Sequence, residues 1–259
     1  MDIIPLETNV LHASDVIYWL DGSSDANPDN MRRLNHTIEL QLDTRPSDLR
    51  VINTAGKTGL LRNPVGEIIE GRASETQRNF VVTAPYPLSG HIHDPRGRYN
   101  PRSFSISVGT AEGRSLILYP TPIGARVTAV GGLFASLRWQ SNNEPAVWAL
   151  ATLTITVPGL AQPQQYIGQA DYRGELVIPW PQLPPLAEGQ THYNATLSIQ
   201  AQDSIDGTTP IDPTSLPVAH IESPTDINDF IDPIGLEVIP GDRLIVRSAM
   251  RDHLTLNPS

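Results

Sequence analysis

Ala151-Thr152-Leu153-Thr154-Ile155-Thr156-Val157 places an apolar side chain at every second position with threonine between them. A period of two is that of an extended strand with one face in a core and the other in water. Ala195-Thr196-Leu197-Ser198-Ile199-Gln200-Ala201, Ser103-Phe104-Ser105-Ile106-Ser107-Val108 and Thr37-Ile38-Glu39-Leu40-Gln41-Leu42 repeat it. Leu153, Ile155, Val157, Leu197 and Ile199 are therefore expected on one core, with Thr152, Thr154 and Thr156 on the opposite face. Shorter strands are expected at 16–20, 80–83, 115–118, 135–139, 175–178 and 243–247. No window of eleven residues carries an i, i+3, i+4, i+7 stripe. The chain is expected to be all-β, built from small antiparallel β-sandwich modules with only a turn or two of helix.

Composition agrees. The 259 residues include 24 Pro and 19 Gly, and proline inside a helix costs about 3 kcal/mol. One proline cluster suggests a linker at 119–124, and another at 180–186 an extended crossing between two strands. The expected organisation is an N-terminal β segment or arm (1–75), a first small β module (76–122), a second sandwich (123–203), and a Pro/Asp-rich arm with a C-terminal return strand (204–259). Phe230, Ile231 and Ile234 are the apolar group picked out of that arm as an interface anchor. Arg243 to Arg247 is expected as an exposed edge able to pair with another strand.

Charge narrows the partners. Eighteen basic against 28 acidic residues give a net charge of −10, and the longest basic run is Arg32-Arg33. Such a chain repels phosphate backbones, so no nucleic acid is expected. Lys57 is the sole lysine, and the bias toward arginine suits either protein interfaces or a genomic codon preference. With no cysteine, disulfides, thiolate chemistry and Cys-based zinc sites are excluded. Met1-Asp2-Ile3-Ile4-Pro5 opens with no signal-peptide pattern, and the apolar stretch at 146–158 is too short to span a bilayer. A cytoplasmic location without membrane insertion is the expectation.

Motifs for chemistry fail at named positions. Gly56-Lys57-Thr58-Gly59 imitates the end of a phosphate loop, but Val51 stands where the first glycine belongs. A glycine turn between strands accounts for it. Asp25, Asn27 and Asp29 occupy positions 1, 3 and 5 of a calcium-loop spacing, yet Asn30 replaces the glycine and His36 the bidentate glutamate. His91 and His93 share one side of a strand at a spacing able to chelate zinc or iron, without an evident third ligand. No serine elbow, zinc-protease motif or dinucleotide loop is present. Glycosidase-type carboxylate pairs need no local motif and stay open. Trp19, Trp139, Trp148 and Trp180 suit either core packing or a sugar-stacking platform. No catalytic residue and no cofactor is expected.

From 132 to 185 the chain resembles the carboxypeptidase-regulatory-like family of transthyretin-type β-sandwiches. The resemblance is carried by Leu133-Phe134-Ala135-Ser136-Leu137-Arg138, Glu144-Pro145-Ala146-Val147-Trp148-Ala149, the strand at 152–157, and Ala170-Asp171-Tyr172-Arg173-Gly174-Glu175-Leu176. It implies a small sandwich with no catalytic residues to carry over. The Cys-free, Arg-rich, Pro-punctuated character also resembles structural components of phage-tail-like contractile injection systems. That implies a non-enzymatic subunit, in a baseplate or shell, with several copies among other protein subunits. A carbohydrate-binding or adhesive module and a hydrolase with an unrecognised carboxylate site are the alternatives.

Overall fold

In a computed structural model, which describes residues 15–62, 84–110, 112–125, 127, 131–181 and 183–259, the alternating stretches are strands. The expected strand at 80–83 lies outside the described residues. Among the described residues helix is confined to two single 3-10 turns, Pro28–Asn30 and Pro213–Ser215, each capped by the preceding Asn27 or Asp212 side chain. The fold is all-β.

Among the described residues seven strands build the first unit. β1 (Asp15–Asp21), β3 (Leu49–Thr54), β4 (Lys57–Arg62) and β7 (Gly113–Leu118) form one sheet in the order β3-β4-β1-β7. β2 (Glu39–Thr44), β5 (Tyr86–His93) and β6 (Arg102–Val108) form the other. Their inner faces share one core of Ile17, Trp19, Leu60, Leu88, Ile92, Phe104 and Leu116. Because β1 runs parallel to β7 and β2 antiparallel to β5, the segments 1–75 and 76–122 interlock. Strands from both segments thus share one sandwich core.

The β3–β4 hairpin turns at Ala55-Gly56, where Gly56 has φ +72° and a side chain would collide with the Leu34 carbonyl. The phosphate-loop lookalike is this glycine turn. In the central strand β5, a Cβ at Gly90 would collide with the Gln41 carbonyl of β2. Gly90→Ala should therefore cost about 2 kcal/mol by forcing β2 outward. Urea denaturation measures this, and an unchanged midpoint would show that β2 shifts freely.

The second unit is a curled ten-stranded sheet. Its path is β10 (Gln164–Gln169), β9 (Leu150–Thr156), β12 (Tyr193–Gln200), β13 (Val218–Glu222), β17 (Leu254–Pro258), β8 (Gly132–Trp139) and β11 (Glu175–Pro179). β14 (Phe230–Ile231), β15 (Ile234–Val238) and β16 (Arg243–Ile245) attach to β13, β12 and β8. β9 and β12 pair in register from Thr156↔Asn194 to Leu150↔Gln200. Leu153, Ile155, Leu197 and Ile199 are fully buried and Val157 nearly so, whereas Thr152 and Thr154 are half-buried and Thr156 is exposed. At the sheet's two ends β10 meets β11, with Gly168 so close to Ile178 that a Cβ would sit 2.9 Å from it.

The 204–240 segment differs from the expected arm. Leu216, Ile221, Ile234 and Val238 are buried, and β13 and β15 are hydrogen-bonded members of the sheet. The acids and prolines between them lower the average hydrophobicity without removing the apolar residues that face inward. The 123–203 and 204–259 segments accordingly fold as one unit.

Candidate functional site

Where the two sandwiches meet, Tyr119, Leu150 and Leu216 are buried together, with Ile117, Ile167, Ile205 and Ile211 packed around them. Polar ties surround this patch. Asn100, 2 % exposed, donates its side-chain amide to the carbonyls of Gln169 (3.1 Å) and Ala170 (3.2 Å). Arg102 comes from β6 in the first unit and donates to Ile117 O at 2.7 Å and to Asp212 Oδ1, in the second unit, at 2.9 Å. The Ser103 amide donates to Ile211 O at 3.0 Å. A mostly buried, charge-assisted tie of this kind fixes orientation as well as adding energy.

Beside the junction lies a cleft of about 400 Å³. Arg32, Arg33, His36 and Arg98 come from the first unit, while Pro179 and Pro181 close it from the second. Its frame is a buried pair, His36 Nε2 to Asp94 Oδ1 at 3.0 Å, with both side chains at most 3 % exposed. Asp94 also accepts the amides of Arg96, Arg98 and Tyr99, so one carboxylate organises the whole β5–β6 turn. Burial, reinforced by the nearby Asp21 carboxylate, raises the Tyr99 phenol far above its ordinary range and keeps it protonated. The linker is fastened to the same turn: Thr121 donates its amide to Arg98 O, and a Cβ on Gly124 would collide with that carbonyl. A second cleft, between the 22–27 loop and the 163–167 segment, shares Ser23 and Pro181 with the first.

The residues singled out from sequence lie elsewhere, or do other work. His91 and His93 project from β5 opposite Gln41 and Glu39, and His91 Nε2 sits 3.1 Å from Asp43. Among the described residues no three His, Cys, Asp or Glu side chains gather to hold a metal ion. Asp25 and Asn27 each accept a backbone amide two residues ahead, from Asn27 and Asp29, which makes a polar turn rather than a converging ligand set.

All four tryptophans are interior: Trp19 and Trp180 fully buried, Trp139 and Trp148 3 % exposed. They form no exposed stacking platform. Of the proposed anchors, Ile234 is core, Phe230 is half-buried and Ile231 is exposed. Arg243 opens the three-residue strand β16, paired in parallel with β8, and Arg247 is exposed just beyond it.

Sequence reasoning missed the cleft. Arg32-Arg33 was visible as a basic pair, but its meeting with Arg98 depends on the buried His36–Asp94 bridge, which joins positions 58 apart. No local spacing announces that contact. Among the described residues no helix is long and apolar enough to cross a membrane. Comparison of the chain with protein-family models, characterised proteins and solved structures finds no match.

Proposed function

We propose that this chain is a non-enzymatic building block of a large protein assembly, most specifically a baseplate or shell component of a phage-tail-like contractile particle assembled in the cytoplasm. One observation carries the reading: two β-sandwiches are joined by an apolar patch ringed with buried polar ties, which holds them in one orientation. Inter-domain contacts that serve hinge motion are typically looser. A fixed two-module block suits load-bearing and repeated docking. The Asn100 and Arg102 ties have no other evident use.

The motif resemblances at 132–185 support the module type, and the Cys-free composition suits assembly inside a reducing cell. Burial of every tryptophan removes the indole platform that the carbohydrate-binding alternative could have used. Purifying the assembly from its native source through an affinity tag on this chain, followed by cryo-imaging, tests the proposal. Several ordered copies in a particle are expected. A lone monomer that binds a glycan specifically would replace this reading with the adhesive one.

A further inference from the structure

Two surface features carry unpaired charge of opposite sign. In the cleft, Arg33 stacks on Tyr18 at 3.9 Å from its ring centroid, and Arg32 leans toward Asp21 at 3.7 Å. Arg33 and Arg98 have no acidic partner among the described residues. Pro120, Pro179 and Pro181 give the same cleft an apolar wall.

The second feature is the loop Asp226-Ile227-Asn228-Asp229, where two exposed acids without basic partners among the described residues flank an isoleucine that is 57 % exposed. This loop is held rigidly. Ser223 Oγ accepts the amides of Thr225 and Asp226, the Asn228 amide donates to Glu222 Oε1 at 3.0 Å, and the Ser223 amide donates to Asp229 O at 2.8 Å.

We propose that the arginine-lined cleft is the receptor for the 226–229 loop of a second copy of this chain. The pattern acid, apolar, acid on the loop matches guanidinium and proline in the cleft. A loop already fixed by its own hydrogen bonds loses little freedom on docking. The loop lies outside the cleft lining, so the contact is head-to-tail and generates rings or open stacks rather than a closed pair. This inference rests on the multi-copy reading above.

Sedimentation velocity on the full chain tests it. The wild type should associate as concentration rises, and less so between about 50 mM and 500 mM salt. Arg33→Glu/Arg98→Glu and Asp226→Lys/Asp229→Lys should each weaken association about tenfold or more, because like charges then face one another. Mixing the two variants should restore it, since each loop again meets a cleft of opposite charge. The aspartate changes lie on an exposed loop and report even where loss of the Tyr18 stack disturbs the cleft. A wild type that stays monomeric, an association indifferent to both reversals, or a mixture without rescue overturns the contact. Particle purification is read separately. Copies found in a particle without charge-swap rescue leave the proposed function standing and remove this contact; rescue without any particle does the reverse.

Discussion

Replacing Glu222 with alanine should destabilise the second sandwich by about 3 kcal/mol, since removing one partner of a buried ion pair leaves the other uncompensated. The glutamate is fully buried at the end of β13. Its Oε2 accepts from Arg251 Nε at 2.6 Å, and its Oε1 accepts from the same guanidinium at 3.3 Å and from the Asn228 amide at 3.0 Å. The loss lies at the lower end of such values because the Arg251 side chain is 34 % exposed and water can partly rescue it.

The pH dependence has a definite sign. Burial by itself pushes the Glu222 carboxyl up, but the bonds from Arg251 and Asn228 outweigh it, and the carboxyl is held below its ordinary value. An unfolded chain therefore takes up the proton first as pH falls. The stabilisation is complete above the ordinary glutamate range and is lost as pH drops through that range to the lower folded value. Glu222→Gln keeps the shape without the charge. Its deficit relative to wild type should be clear at pH 7 and shrink near pH 3. Urea midpoints at the two pH values measure this. A deficit that stays constant would mean that the charge is not what stabilises this corner. Both exchanges should also loosen the 223–229 loop, whose Asn228 amide loses an ionised acceptor.

The second large effect is at the junction. In an Asn100→Ala/Arg102→Ala variant the carbonyls of Gln169, Ala170 and Ile117 lose donors, and Asp212 loses its cation. Buried acceptors left without partners cost about 1–3 kcal/mol each, less where water reaches them, so about 4 kcal/mol is expected for the pair. The two sites share a junction and need not add. Calorimetry discriminates more sharply than the total does. A chain melting as one unit in the wild type should split into two transitions, one per sandwich, once the ties are gone. A single unchanged transition would assign the coupling to the apolar patch of Tyr119, Leu150 and Leu216 alone. The proposed function would then lose the observation that carries it.

Alternation was legible wherever a strand buries one face. The threonines and aliphatics of 151–157 and the serines of 103–108 already told which side chains meet the core, because the period of two is set by backbone geometry within a few residues. The turn at Gly56, the absence of thiol chemistry and the all-β class followed from equally local facts. Which strands pair was another matter. β17 lies parallel to β8 across more than a hundred residues, and β1 parallel to β7 across nearly as many. Nothing in either strand names its neighbour.

The inward-facing residues of 204–240 were hidden for a related reason. Leu216, Ile221, Ile234 and Val238 follow no single period, since bends at proline and aspartate reset the phase between them. The cleft is the extreme case. Arginine side chains on loops have no face to keep, and Arg32 and Arg33 reach Arg98 through long-range contacts, the β2–β5 pairing and the buried His36–Asp94 bridge among them. The sequence by itself determined which side chains must leave water. Tertiary structure alone decided which charges become neighbours, because that depends on chain closure over distances no local pattern records.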